Sequence, residues 1–500
     1  MKKSVFVVFI LSTLLFNCKK KTSISVVKKD SEKVDSTRIT FNSSNQKLNE
    51  AFLWAKNKAL SFAHDSQDVV GPWYEAALPN REAFCMRDVS HQAIGAELLG
   101  LGKHNFNMFL KFGQNITADM DYCSYWEINR YNLPAPIDYE TKKDFWYNLP
   151  ANFDVIYNAH RLYQWTGKKE YIENEVLQNF YKLSMNEYVD HWDLGYQEVQ
   201  TRDRNLHVSN DSTRFSNKRG IPTYNEGGRG ETKLGIDMTA SLIAAYQAMA
   251  KLSKAKGDLS YYKFYIDKAQ KEKRFLDDFW WDSQQNVFRS ILYENGEFDY
   301  FMVGDDQAFL HYLLYFEVLS DQNKIDELVN AYAKNYTKLI VELKSYLPII
   351  FYENGKSAIA NQMIIDLCSV ENKRRDYPEN SFTIIEHLTR GLMGIAVDAS
   401  SNTFVSLSRI EKQEDWAEMK QIPILSNSIS IMHIGRSKSI AINAAGPVIN
   451  WSAKFLGDHE FLYVNGEKTE TKQLKSTEKL VSYCQVLLAE GDKTTVSITP

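Results

Sequence analysis

The feature that most constrains this chain is a change of hydrophobic period near residue 400. From about 45 to 397, apolar residues recur at helical spacing. Leu48, Phe52, Ala55, Ala59 and Phe62 form one stripe; Met238, Leu242, Ala245, Tyr246, Met249 and Leu252 form another; Phe309, Tyr312, Leu313 and Phe316 form a third. About a dozen such stretches follow one another. They lie near 45–66, 88–101, 104–118, 150–166, 170–190, 236–254, 260–279, 304–319, 322–335, 337–345, 356–369 and 381–396. Short breaks such as Gly100-Leu101-Gly102, Thr166-Gly167 and Lys256-Gly257-Asp258 join neighbours into helical hairpins. Beyond 400 the texture becomes short β-branched or alternating runs: Thr403–Ser408, Ser428–Ile434, Ser439–Asn443, Phe461–Val464 and Thr494–Ile498. Asn465-Gly466 is a hairpin turn between two of the expected strands.

Helical hairpins in this number fit a mainly α fold, an (α/α)6 toroid over 41–400, closed by a small β-sandwich over 401–500. Inner helices would line a funnel, and the links at one end would form its mouth. A helical solenoid would repeat a motif at a fixed period, and none recurs. The links 119–149 and 191–235 are long, carry little periodicity, and are rich in Trp, Tyr, Arg, Asn, Gly and Pro. Long links inside a compact domain are usually functional, so a site is expected there.

The N-terminus carries an address. Lys2 and Lys3 precede an apolar run, Val5–Phe16, that is too short to span a bilayer and reads as a signal peptide. Leu15-Phe16-Asn17-Cys18 resembles the lipobox of bacterial lipoproteins, although Asn17 stands where a small residue is usual. Residues 1–18 are thus expected to be a leader, with lipid on Cys18 anchoring the protein at the cell envelope. Residues 19–40 are polar and charged, as in a flexible tether. An ordinary secretory leader is the competing reading.

A net charge of −4 leaves no nucleic-acid footprint. The ten histidines are scattered with no metal-binding motif, and the cysteines form no C-x-x-C, so neither a metal nor another cofactor is expected. A Cys85–Cys123 disulfide is compatible with an oxidising compartment. Aromatic residues make 13% of the chain. Most must be core, but sugar rings also stack on aromatic faces.

Met86-Arg87-Asp88-Val89-Ser90-His91-Gln92, continuing to Gly102, resembles the Arg-Asp that opens an inner helix in six-hairpin glycosidases such as glucoamylases and glycogen-debranching glucosidases. Tyr147–Gly167, Gly235–Ala250 and Tyr377–Phe382 resemble further inner-helix starts or hairpins of that superfamily, and the β-domain is similar to the one closing many rhamnosidase-like chains. The resemblance implies a glycoside hydrolase in which Arg87 and Asp88 bind the sugar beside the scissile bond. Asp237, at another such helix start, counts with the sugar-binding residues.

Hydrolysis needs an acid for the leaving oxygen and a carboxylate to activate water, roughly 6.5–9.5 Å apart in inverting enzymes. Glu226, set between Asn225 and Gly227-Gly228, and Glu379, just ahead of a helix, are the candidates. Glu231 and Glu386 are their neighbouring alternatives. A surface turn accounts for Glu226 equally well, and helix-dipole compensation for Glu379. A buried ion pair competes with sugar binding for Asp88. Trp126 and Trp146, with Glu127 and Asn148, are candidate sugar platforms, against plain packing. Arg202, Arg204, Arg214, Lys218, Arg219, Arg229 and His207 make the second link basic, which hints at an acidic glycan carrying uronic acid or sulfate; a solvated charged loop is the alternative.

An acidic substrate admits a second chemistry, elimination to an unsaturated uronate. It would use His91, His207, Tyr125 or Tyr224 as base with an arginine holding the carboxylate. A non-catalytic glycan-binding lipoprotein is the third possibility; it would need platforms but no acid–base pair. In each case the expected partner is an oligosaccharide.

Overall fold

The computed structural model describes residues 39–65, 67–202, 214–215, 220–225, 231–302, 309–476 and 479–500. The expected leader with Cys18, and the site candidates His207, Glu226 and Arg229, lie outside these residues, as do Arg204, Lys218 and Arg219.

The helical region is built from two kinds of helix that alternate along the chain. One kind is buried all round: α2 (Met86–Leu98), α4 (Ala151–Thr166), α6 (Ile236–Ala255), α8 (His311–Tyr315), α10 (Leu347–Glu353) and α12 (Pro378–Glu386). In α2 every residue except Arg87 is buried, and in α12 every residue is. The other kind buries a single stripe: α1 (Gln46–Ser61), α3 (Gly102–Gln114), α5 (Glu175–Met185), α7 (Leu259–Phe279), α9 (Gln322–Asn335) and α11 (Ser357–Cys368). In α7 that stripe is Tyr265, Ala269, Glu272, Phe275 and Leu276. A helix apolar on all sides belongs in the interior, and an amphipathic one on its outside.

Around the interior, α2 packs on α4, α4 on α6, α6 on α8, α8 on α10, and α12 on α2; α10 meets the π-helical continuation of α12 over His387–Leu392. Side-chain bonds show that these helices run the same way. Helix starts meet at one end, where Tyr377, the residue before α12, bonds Asp88; toward the other end Arg161, in the C-terminal half of α4, bonds Glu386 and Tyr315, the last residues of α12 and α8. Gly95 permits the close packing of α2 on α12, because a Cβ there would sit 2.0 Å from the Phe382 carbonyl oxygen.

Two sheets follow. The seven-stranded one runs in the order Thr40–Ser43, Trp416–Ile424, Asn427–Ile434, Lys438–Ala445, Lys493–Ser497, Phe461–Val464, Glu467–Glu470. The five-stranded one runs Ala396–Asp398, Thr403–Leu407, Ile449–Leu456, Lys479–Leu488, Lys472–Ser476. Asn427–Ile434 alternates buried and half-buried residues along its whole length, as a strand covered on one face does. The segment before α1, partly assigned to the tether from sequence, supplies an edge strand of the larger sheet. Cys85 and Cys123 are buried and unbridged. Among the described residues no helix is long and apolar enough to cross a membrane.

Candidate active site

The first turns of the interior helices carry Arg87 and Asp88 (α2), Asp154 (α4), Asp237 (α6), His311 and Tyr312 (α8) and Glu379 (α12). An acid in a first turn is favoured by the helix dipole. Several such turns meeting at one end make a dense group of buried carboxyls. Arg87 is its half-buried cation, with the guanidinium 5.1 Å above the Tyr224 ring. Its charge draws down the pKa values of Asp88, Asp154, Asp237 and Glu379 against the burial that raises them.

The carboxyls differ in what holds them. Asp88 accepts a 2.7 Å hydrogen bond from the Tyr377 hydroxyl. Asp154 accepts one from the Tyr224 hydroxyl. Asp237 accepts from the Tyr224 backbone N–H at 2.6 Å and from the Thr223 hydroxyl at 2.9 Å, and burial pushes its pKa up to about 7. Glu379 is 1% exposed, and neither of its oxygens has a hydrogen-bond partner. The nearby Ser345 hydroxyl is spent on the Glu342 carbonyl, 2.9 Å away. Burial, reinforced by the charge of Asp88, holds the Glu379 pKa well above the usual carboxylate range, which favours its protonated form.

His91 Nε2 lies 3.5 Å from Glu379 Oε1, and its ring stacks on Tyr346 with centroids 3.5 Å apart. Burial lowers its pKa well below the ordinary value, so the imidazole is neutral. Burial pushes the His311 pKa down to about 3, with Arg87 adding to the effect.

The remaining sequence candidates are placed as follows. Asn148 donates its amide to the Thr223 carbonyl at 2.9 Å, holding the segment 220–225 near the start of α4, while Asp237 holds it to the start of α6. The described contacts of Tyr224, Asn148 and Asp237 are thus largely structural pins. Trp126 is no open platform: it is 7% exposed and packs edge-to-face on Tyr147. Trp146 is half-buried against the core. Glu127 lies on Glu127–Asn129, paired with Ala83–Cys85, the strand that leads into α2. It bonds Arg81 at 2.8 Å, and burial beside Asp138 raises its pKa to about 8.

Glu386 does not serve the same end of α12 as Glu379. Seven residues on, roughly 10 Å along a helix, it is bonded to Arg161 and Arg390 at the opposite end of the interior. Glu231 is exposed just before the strand Thr232–Gly235. Arg202 is buried and donates to the carbonyls of Trp192, Asp193 and Lys233, and Arg214 pairs with Glu140 at 3.0 Å. Both are engaged in the protein's own contacts, which removes them as support for an acidic substrate.

Sequence reasoning passed over Asp154, Tyr377, His311 and Tyr346. Asp154 and Tyr377 stand in segments already singled out, and a first-turn acid was the signal for Asp154. His311 and Tyr346 carry no local signal.

No protein-family model matches the chain, and no curated protein matches it. Solved structures share its fold. A family 78 rhamnosidase of Bacillus sp. GL1 has 11% identity and a TM-score of 0.56 over 82% of this chain and 41% of its own. An alpha-L-rhamnosidase of Dictyoglomus thermophilum has 13% identity and a TM-score of 0.52 over 92% of this chain and 50% of its own. A kojibiose phosphorylase described as putative, from the human microbiome, has 11% identity and a TM-score of 0.52 over 91% of this chain and 63% of its own. The chain spans about two fifths to three fifths of the length of these proteins. Their fold, a helical region with β-sheet, is the fold of this chain.

Proposed function

We propose that the protein is a glycoside hydrolase of the six-hairpin type, with the interior helices arranged as an (α/α)6 toroid and the active site at their N-terminal end. The observation that carries this reading is the group Arg87, Asp88, Asp154 and Glu379. One cation stands among buried carboxyls in unlike environments, and glycoside hydrolysis asks for carboxyls whose protonation states differ. Glu379, whose burial favours the protonated form, is the group suited to act as general acid. Arg87 and Asp88 hold the hydroxyls of the sugar at the bond to be cut. Glu226 is the candidate base that activates water. That the solved structures of this fold include rhamnosidases and a phosphorylase supports an oligosaccharide substrate.

The test is incubation with neutral and uronate-containing oligosaccharides, read by mass spectrometry and by absorbance of an unsaturated uronate. Addition of water across a cleaved linkage, lost in Glu379→Gln and Glu226→Gln, is the expected result. Full activity in both variants sinks the assignment of these residues. An unsaturated product would instead favour elimination, for which the neutral imidazole of His91 is the available base. No change in any glycan would leave a binding lipoprotein. We also infer from Leu15–Cys18 that the mature protein is lipid-anchored at the cell envelope. Cys18→Ala should release it from the membrane fraction and abolish labelling by a fatty-acid analogue.

A further inference from the structure

At the end of the interior helices opposite the first-turn carboxyls, a groove of about 870 Å³ opens between α5 and the turn that joins α6 to α7. Its lining includes Gln178, Asn179, Asn186, Ser253, Tyr261 and Tyr265. Tyr261 is 56% exposed, and its neighbour Phe264 is 45% exposed. Large aromatic side chains placed side by side in solvent on an outer helix mark a binding surface rather than a packing one.

Tyr261 is also held in place. Its ring stacks on Tyr265, centroids 6.1 Å apart, and Tyr265 stacks on Tyr246 at 6.2 Å. Tyr265 and Tyr246 are buried, so Tyr261 is the outer rung of a ladder rooted in the core. An aromatic plane fixed in this way loses little freedom on binding. Around it the polar lining is mainly amides and hydroxyls, which both donate and accept. The charged lining is of both signs, Lys182 and Lys256 with Asp258; Lys256 is bonded to Gln178 at 2.9 Å, and Asp258 accepts from the backbone N–H groups of Ser260 and Tyr261 at 3.1 Å. Amides and hydroxyls outnumber these charges, whereas cations would dominate an anion site and a protein-docking face would be drier. A ring with an apolar C–H face and a rim of hydroxyls matches an aromatic plane bordered by amides.

We propose that this groove is a saccharide-binding site distinct from the mouth, taking neutral sugar units of a longer glycan with one ring on Tyr261. It would hold the protein on a polymer while another part of the chain is processed, and it does not depend on the hydrolase reading.

Affinity electrophoresis of the full chain in native gels containing glucomannan, arabinoxylan, galactomannan or polygalacturonate tests it, with Asp88→Asn as the background so that the mouth contributes little. Retardation by at least one neutral polymer is expected. Tyr261→Ala should weaken it about tenfold and Tyr261→Phe should restore it. Light scattering shows whether Tyr261 instead joins two copies of the chain. The proposal is overturned if no neutral polymer retards the protein, if Tyr261→Ala leaves the retardation unchanged, or if Tyr261 drives self-association without retardation. Retardation that depends on Tyr261 in a protein that turns over no glycan would leave this site standing while the hydrolase reading falls.

Discussion

The Tyr377 hydroxyl donates to Asp88 Oδ1 at 2.7 Å and so joins the start of α12 to the start of α2, residues 289 positions apart. This bond stabilises the ionised form of a carboxyl whose burial favours the neutral one. Tyr377→Phe should therefore raise the Asp88 pKa further and disturb its orientation. Loss of one hydrogen bond to a charged group is expected to cost about 1.5–3 kcal/mol. Denaturant unfolding should show that loss, and the acidic limb of glycan turnover, where Asp88 ionises, should move to higher pH. An unchanged pH profile would mean that Asp88 does not need its charge.

Glu379 predicts the other limb of that profile. A general acid must be protonated to work, and its activity is lost as pH rises through its pKa. Because burial and Asp88 hold that pKa above the usual range, the alkaline limb of kcat/KM should lie well above pH 4.5. Arg87→Ala removes the charge that opposes the shift, so it should move the limb to still higher pH while weakening substrate binding. A limb that stays fixed in Arg87→Ala would assign it to a different group.

How much of this was legible beforehand depended on whether a segment carried a period. The hairpins α2–α3 and α6–α7 stood out because glycine breaks separate amphipathic or apolar stripes. The helix α10 did not. Leu347-Pro348-Ile349-Ile350-Phe351-Tyr352 is buried on all sides and has no polar face to set a phase, and Pro348 occupies a first-turn position. One helix expected over 170–190 is broken by Asn174, whose side chain caps Val176 and Leu177. The expected helix over 381–396 opens into π turns after Glu386. In the site, Arg87, Asp88 and Glu379 were readable because each sits at a helix start with an unusual local sequence. His311 and Tyr346 were not, since their meeting with His91 is a product of the tertiary packing alone.

Glu127 gives a stability test that needs no substrate. Its folded pKa is about 8, against roughly 4.3 for an unfolded glutamate. Between those values the folded state holds a proton that the unfolded state has lost. Stability contributed by this group is therefore present at low pH and lost as pH rises toward 8. Glu127→Gln should flatten the fall in Tm between about pH 5 and 8. Parallel curves for the two proteins would show that Glu127 is ionised throughout.

Gly95 tests the packing of α2 on α12. A methyl group there would meet backbone, 2.0 Å from the Phe382 carbonyl oxygen, and backbone cannot rotate away as a side chain can. Gly95→Ala gains helix propensity, about 1 kcal/mol, yet should lose more through the forced separation, since overpacking typically costs about 1–3 kcal/mol. A lower Tm is expected. A rise would show that the two helices have slack at this crossing.

At the far end of the interior, Glu386 is bonded to Arg161 and Arg390, and Arg161 also donates to Tyr315 at 2.9 Å. Burial alone would raise the Glu386 pKa, but the two guanidiniums overcome it and hold the group below its ordinary value. It is ionised at every working pH, and it shields two cations from each other. Glu386→Gln would keep the shape and leave those charges uncompensated. Breaking a buried pair in this way typically costs about 3–5 kcal/mol. The expected signature is a large drop in Tm with the pH dependence of turnover unchanged, because Glu386 lies about two helical turns from Glu379. A variant that folds normally but loses its acidic limb would instead make Glu386 the base and displace Glu226 from that role.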